Sequence, residues 1–383
     1  MTGQGGREME LYLHLPFCVR KCAYCDFLSF PADPGKQRRY VEALKREIRE
    51  AGGRYAGRPV STVFIGGGTP SALDSALIRD LFDSLRESFS IRPDAEISME
   101  ANPGTVNREK LLDYRRAGIN RLSFGLQSAD NGELSRLGRI HTWETFLESF
   151  RLAREQGFFH VNVDLMSALP GQTVESWAKT LKRTADLGPE HISAYSLILE
   201  EETPFYERYA VGDAAKEIPD EEADREMYHW TREFLCGAGY ERYEISNYAR
   251  PGEECRHNIG YWTGVPYLGL GLGAASYMDG VRFSNTRDFS AYLAGKFSDR
   301  ASVQVLTEQE KQEEFFYLGL RMVRGVSLRE FKERFGVDAR EVYPGVMERF
   351  IEENVARMDG ERFCLTEYGL DVCNVVMAEF LQG

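Results

Sequence analysis

The sequence predicts an α/β protein: an incomplete parallel (β/α)6 barrel, then a mixed α/β stretch, then a carboxyl-terminal module of winged-helix type. Three observations carry this. Short apolar, β-branched runs recur at 11–15, 62–65, 96–100, 121–126, 160–166 and 191–197. Amphipathic segments such as RRYVEALKREIREAG and LIRDLFDSLRESF lie between them, and strand alternating with helix gives a parallel sheet with crossover helices. The tail then turns helical, with a short hairpin candidate, DGERFCLT, set among the helices.

Taken in order, six strand–helix units fill residues 1–205, and functional side chains are expected at the carboxyl ends of their strands. Residues 206–304 are mixed and include the Tyr- and Gly-rich run YWTGVPYLGLGLGAASY. Residues 305–383 read as helices at 308–322, 327–335, 344–353 and 367–381 around the hairpin. That module holds 10 Lys/Arg against 16 Asp/Glu, a net charge of −6. Such a balance argues against phosphate binding and for docking or packing.

The whole chain has 383 residues and a net charge of −13, which repels nucleic acid on average. No run of 18 apolar residues occurs, and the amino terminus lacks the pattern of a secretory signal. A cytoplasmic protein is expected, or one peripheral at the inner face of the membrane. Seven cysteines in a reducing compartment point to metal chemistry or packing rather than disulfides. Cys236, Cys364 and Cys373 are expected in the core.

Cys18, Cys22 and Cys25 crowd into one short loop, C-x3-C-x2-C, directly after the first strand. Structural zinc takes four protein ligands, and no fourth is spaced for it nearby. A dithiol pair at Cys22 and Cys25 leaves Cys18 unexplained. An iron–sulfur cluster on three thiolates leaves one iron open to a substrate. Gly66-Gly67-Gly68-Thr69-Pro70 follows the second strand, where glycines let a backbone approach a ligand. A bulky residue at Gly67 or Gly68 is therefore expected to weaken ligand binding without loss of iron. Glu100, Gln127, Arg139 and Asp164 sit at or near the ends of the next three strands. The later run Gly269-Leu-Gly-Leu-Gly lacks the βαβ frame and acidic residue of a dinucleotide site.

With this loop in this place, aromatic Tyr24 included, the sequence resembles the radical S-adenosylmethionine (SAM) superfamily. The resemblance implies a [4Fe–4S] cluster on the three cysteines whose free iron binds SAM. It also implies a one-electron reductant and cleavage of SAM to methionine and a 5′-deoxyadenosyl radical. The order of polar residues is similar to the oxygen-independent coproporphyrinogen III oxidases and their relatives. That likeness assigns SAM contacts to Tyr12, Tyr24, Gly67, Gly68, Thr69, Glu100, Gln127, Arg139 and Asp164, with Ala275 a weaker match.

Two departures argue against a dehydrogenase of that family. Those enzymes continue the cysteine run with a fourth Cys where this chain has Phe27, and they carry a longer segment before the first strand. The stretch Cys255-Arg-His257-Asn258-Ile-Gly-Tyr261-Trp262 instead resembles the H-N-x-x-Y-W hallmark of HemW-type haem chaperones. These bind haem and pass it to haem proteins, membrane-bound respiratory enzymes included. Under that resemblance His257, or alternatively Cys255, binds the iron, and Tyr261, Trp262 and Tyr267 supply a flat apolar face. The expected function is thus haem carriage rather than catalysis. The alternatives are a coproporphyrinogen III dehydrogenase or another radical SAM enzyme acting on haem.

Overall fold

The computed structural model describes residues 8–381. Its centre is one 12-stranded sheet in the order β12-β11-β10-β9-β1-β2-β3-β4-β5-β6-β8-β7. The strands are β1 (Met9–Leu15), β2 (Pro59–Gly67), β3 (Ser90–Ala101), β4 (Arg121–Gln127), β5 (His160–Ser167) and β6 (His191–Ser196), then β7 (Glu241–Arg242), β8 (Asn247–Ala249), β9 (Tyr267–Leu270), β10 (Ala275–Met278), β11 (Val281–Asn285) and β12 (Arg300–Val305). β1 to β6 run parallel in chain order. The sheet does not close: β12 and β7 are its two edges.

The mixed stretch extends this sheet on both sides. β9 adds to β1 as a further parallel strand, and β10, β11 and β12 follow antiparallel. On the other side β8 and β7 join β6 antiparallel. The second glycine run has a packing role here. A Cβ on Gly269 would lie 2.1 Å from the Ala275 carbonyl oxygen, and one on Gly271 would lie 2.6 Å from that of His14.

Alternation along the strands divides apolar from polar. Leu11, Leu13 and Leu15 are fully buried in the core shared with the crossover helices. The intervening residues line the inner face in rows fixed by register. Glu10 lies level with Thr62, Tyr12 with Phe64, and His14 with Gly66. The helices begin where side chains cap them: Asp33 accepts from Lys36 N, Asp74 from Ala76 N, and Thr173 forms a capping box with Ser176.

The tail forms its own core around Phe316, Phe331, Tyr343 and Phe380, with Phe316 stacked on Phe380 at 4.3 Å. Its small sheet joins β13 (Val326–Ser327), β14 (Ala356–Asp359) and β15 (Arg362–Leu365) in the order β13-β15-β14. Helices Glu308–Gly319, Leu328–Phe335 and Val346–Glu352 precede the hairpin. The helix expected over 367–381 is two pieces, Glu367–Asp371 and Cys373–Ala378, because Val372 leaves helical geometry at φ −110°, ψ 22°. The tail packs on the barrel through Arg321, whose guanidinium lies 4.4 Å from the Trp262 ring, and through Arg225 and His229 on Asp371.

Candidate functional site

The cysteine loop leaves β1 and folds back on itself. Cys18 N donates to Phe30 O at 3.1 Å, Phe30 N to Pro16 O at 2.8 Å, and Cys25 N to Cys22 O at 3.3 Å. His14 pins it from inside the barrel: Nε2–H donates to Leu28 O at 2.9 Å while Nδ1 accepts from the Tyr12 hydroxyl at 3.1 Å. The glycine turn holds it from the side, with Gly68 N on Leu15 O at 2.9 Å and Thr69 N on Phe17 O at 2.7 Å. Cys18, Cys22 and Cys25 are all partly exposed.

The donors fit an iron–sulfur cluster. Burial pushes the Cys25 thiol up, and Cys22 and Cys18 are near enough to add to the rise. The Arg139 guanidinium reaches Cys22 Sγ at 3.6 Å. A cleft of about 1530 Å3 opens at this rim, lined by Cys22, Cys25, Phe27 and Arg139 among others. Among the described residues no three Cys, His, Asp or Glu side chains converge closely enough for a single ion. A cluster spreads its thiolates over separate irons and needs no such convergence. Of the other cysteines, Cys364 and Cys373 are buried as expected, but Cys236 is exposed. It lies on the outer face of the helix Glu221–Gly237, which buries Met227, Thr231 and Leu235 instead.

Behind the loop the strand ends converge. Gly67 N donates to Glu100 Oε2 at 3.1 Å. Arg139 donates to Asn102 Oδ1 at 2.9 Å and to Gly125 O at 2.5 Å, and Asn102 Nδ2 donates to Thr69 Oγ1 at 2.9 Å. Asp164 accepts from Ser123 Oγ at 2.9 Å and Asn162 Nδ2 at 2.7 Å. Gln127, left-handed at φ 73° where β4 shifts register, accepts from the Tyr195 hydroxyl at 3.1 Å. Tyr24 packs edge-on against Phe205 at 6.0 Å.

Charge at this end is held in an unusual state. Burial, then the neighbouring Asp164, pushes the Glu100 carboxyl up to about 8. Burial also raises Asp164, against its hydrogen bonds and Arg139. At neutral pH Glu100 is mostly protonated and the buried Arg139 guanidinium acts on Asp164, a pocket of donors and acceptors suited to a zwitterionic ligand. The nine residues the sequence assigned to one ligand lie at this one end, with Ala275 on the extension in β10. Sequence reasoning missed Asn102, which joins Thr69 to Arg139. It stands two residues beyond Glu100 in the same strand-end run, SMEANPGT, which is where a signal lay.

The H-N-x-x-Y-W stretch lies elsewhere. Its helix, Arg256–Thr263, stoppers the amino-terminal end of the barrel, opposite the cysteine loop. Glu96 accepts from Arg256 N at 3.0 Å and His257 N at 3.2 Å. Gly260 lets the helix close on Glu10, whose carboxylate a Cβ would meet at 2.0 Å. His257 Nδ1 pairs with Thr62 Oγ1 at 2.6 Å and Nε2 with the Tyr261 hydroxyl at 3.0 Å. Burial lowers its pKa to about 3. The side chain is 1 % exposed and both nitrogens are engaged within the protein. Cys255 is also buried, with Sγ 3.4 Å from Glu96 Oε1. Trp262 and Tyr261 reach past the stopper and line a crevice against the tail.

The radical SAM superfamily profile matches residues 12–184, and that of the HemN C-terminal domain matches residues 306–372. The chain is similar to the heme chaperone HemW of Bacillus subtilis (strain 168), at 36% identity over 97% of this chain and 98% of that one. It is likewise similar to the heme chaperone HemW of Escherichia coli (strain K12), at 35% identity over 97% and 98%. Among solved structures, the coproporphyrinogen III oxidase HemN from Escherichia coli, a radical SAM enzyme, superposes with a TM-score of 0.84 at 25% identity. It covers 98% of this chain and 90% of that one.

Proposed function

This chain belongs to the HemW family of the radical SAM superfamily, and we propose that it is a haem chaperone: it binds haem and hands it to haem proteins. The observation that carries this is likeness to heme chaperones over 97% of the chain, tail and H-N-x-x-Y-W stretch included.

In this reading Cys18, Cys22 and Cys25 hold a [4Fe–4S] cluster. Gly67, Gly68, Thr69, Glu100, Gln127, Arg139 and Asp164 hold SAM, with Tyr12 and Tyr24 at the edges of its site. When bound, such a cluster supplies one-electron reduction of SAM, fed by an external reductant. The chain's own contribution is positioning. Arg139 holds Cys22 and Asn102 in one frame, the carboxyl of Glu100 fixes the glycine turn, and the barrel wall excludes water. At the opposite end Tyr261 and Trp262 offer haem an aromatic face, and His257 keeps their helix seated.

Such a carrier would work in the cytoplasm, or at the inner face of the membrane where the recipient is a respiratory enzyme. No helix among the described residues is long and apolar enough to cross a membrane. The dehydrogenase reading draws on the full-length likeness to HemN, but Phe27 stands where those enzymes continue their cysteine run. The two are separated on one anaerobically reconstituted sample by assaying haem binding and coproporphyrinogen III consumption. Haem binding without consumption is expected. Conversion to protoporphyrinogen with no haem bound would reverse the choice.

A further inference from the structure

We propose that Asn102 is a positioning residue for the cluster: it holds the Arg139 guanidinium against Cys22 and, being neutral, leaves the charge of that guanidinium uncompensated there. The proposal rests on the reading of Cys18, Cys22 and Cys25 as cluster ligands and adds a residue that tunes the cluster. Hydrogen bonds close a ring through four segments of the chain. Thr69 N donates to Phe17 O at 2.7 Å, and Asn102 Nδ2 donates to Thr69 Oγ1 at 2.9 Å. Arg139 donates to Asn102 Oδ1 at 2.9 Å and to Cys22 Sγ at 3.6 Å. The cysteine loop itself, from Phe17 to Cys22, completes the circuit. Asn102 is the link between the glycine turn and the guanidinium.

The link is held rigidly. Asn102 N donates to Ser71 Oγ at 3.0 Å, and Asn102 O accepts from Thr105 N at 3.1 Å and Thr105 Oγ1 at 2.7 Å. Gly125 leaves room for the meeting of the two side chains, since a Cβ there would lie 3.1 Å from Asn102 Oδ1 and 3.3 Å from an Arg139 nitrogen. Geometry alone does not demand an amide at 102. A carboxylate would accept from Arg139 equally well, and the Thr69 hydroxyl could turn to donate to it. The difference is charge. Arg139 hydrogen-bonds to Cys22, Asn102 and Gly125 O, and to no carboxylate among the described residues. A carboxylate at 102 would form an ion pair with it and offset its charge beside Cys22. Net charge and hydrogen bonds to the sulfurs set the reduction potential of an iron–sulfur cluster, and groups that orient a ligand tune the metal it holds. An uncompensated guanidinium at Cys22 favours the added electron, so a neutral residue 102 keeps the cluster easier to reduce.

The test reconstitutes the full-length chain and two variants with iron and sulfide under anaerobic conditions. Iron content, melting temperature and the midpoint potential of the cluster, followed by electron paramagnetic resonance, are then measured. Asn102→Asp keeps the shape and adds the counter-charge; it should hold parent-level iron at a lower midpoint potential. Asn102→Ser is neutral but too short to reach Arg139; it too should lower the potential, because the guanidinium is no longer held on Cys22. A parent-level potential in either variant that keeps its iron would overturn the proposal, and where only one keeps its iron, that one decides. Loss of iron from both at the parent melting temperature would uphold the link to the cysteine loop. Loss of iron together with a lowered melting temperature in both would overturn it, since Asn102 would then serve the fold at large. If the parent takes up no cluster, the reading of the three cysteines falls and this proposal with it.

Discussion

Replacing Gly68 by Ala should empty the cluster site, although position 68 touches no cysteine. A Cβ there would stand 2.6 Å from Phe17 O, 2.7 Å from Phe17 N and 2.8 Å from Phe17 C. Carbon contacts are comfortable near 3.5–4.0 Å, so roughly 1 Å of displacement is demanded. The obstructing atoms are main chain, and no rotamer change relieves them. Phe17 precedes Cys18, accepts from Thr69 N at 2.7 Å, and is fixed by its buried ring on Tyr40 at 5.2 Å. Overpacking of this kind costs about 1–3 kcal/mol, a roughly five- to hundredfold loss of chains with the loop in place. Gly66→Ala is the control, since its Cβ meets the Glu100 carboxylate at 2.9 Å and that group can turn aside. Iron and sulfide per chain after anaerobic reconstitution read the outcome. Gly68→Ala should fall well below Gly66→Ala. Parent-level iron in Gly68→Ala, with only SAM binding impaired, would restore the simpler view that the glycine serves the ligand alone.

Other expectations follow from the same geometry. Cys18→Ala, Cys22→Ala or Cys25→Ala should each lose the iron, and exposed Cys236→Ser should not; iron analysis decides. His257→Ala should leave the Soret band of bound haem in place but destabilise the fold by about 2 kcal/mol, because Thr62 and Tyr261 lose their partner in a buried setting. A shifted Soret band at unchanged stability would return His257 to the iron. Stability of the apoprotein should fall as pH rises from about 6 to 9. Burial raises Glu47 to about 7, Glu100 to about 8 and Glu10 to about 9, all from 4.5, so the native state keeps protons that the unfolded chain has released. Each group contributes up to about 1.4 kcal/mol per pH unit between its unfolded and folded pKa. Glu10→Gln should flatten the upper part of this slope in thermal melts, and a melting temperature that climbs with pH would contradict the assignment.

What the sequence made legible was local. Six strands show as period-two or apolar runs, and three cysteines at fixed spacing after the first of them locate one end of the barrel. Glu100, Gln127, Arg139 and Asp164 were readable because parallel strands deliver their ends to one rim whatever the loops do. Pairing between distant segments left no such mark. β9 is a four-residue strand inside a glycine-rich run, and nothing near it states that it pairs with β1. The helix Arg256–Thr263 has eight residues, too few to show a period, and its seat on Glu10 and Glu96 joins segments far apart in sequence. Both glutamates look like surface residues by composition. Only the fold reveals that they are buried, and with them the reason His257 is not free.

The barrel interior also explains why its two ends are built as one object. Below Asp164, Asn162 Oδ1 accepts from His191 Nδ1 at 2.6 Å, and His191 Nε2 accepts from the Tyr243 hydroxyl at 2.8 Å. Tyr243 in turn packs with Met322 and Trp262 beside the crevice. Burial holds His191 far below its usual pKa, so it is neutral, with one nitrogen donating and the other accepting. Each member has one arrangement that satisfies its neighbours, and a lapse at any point leaves a buried polar group unpaired at about 1–3 kcal/mol. An apolar filling could tolerate small rotations of the stopper helix against the strands. The file of hydrogen bonds fixes Tyr243, whose ring then meets Trp262 by apolar packing, so one chain of contacts runs from Asp164 to the stopper helix.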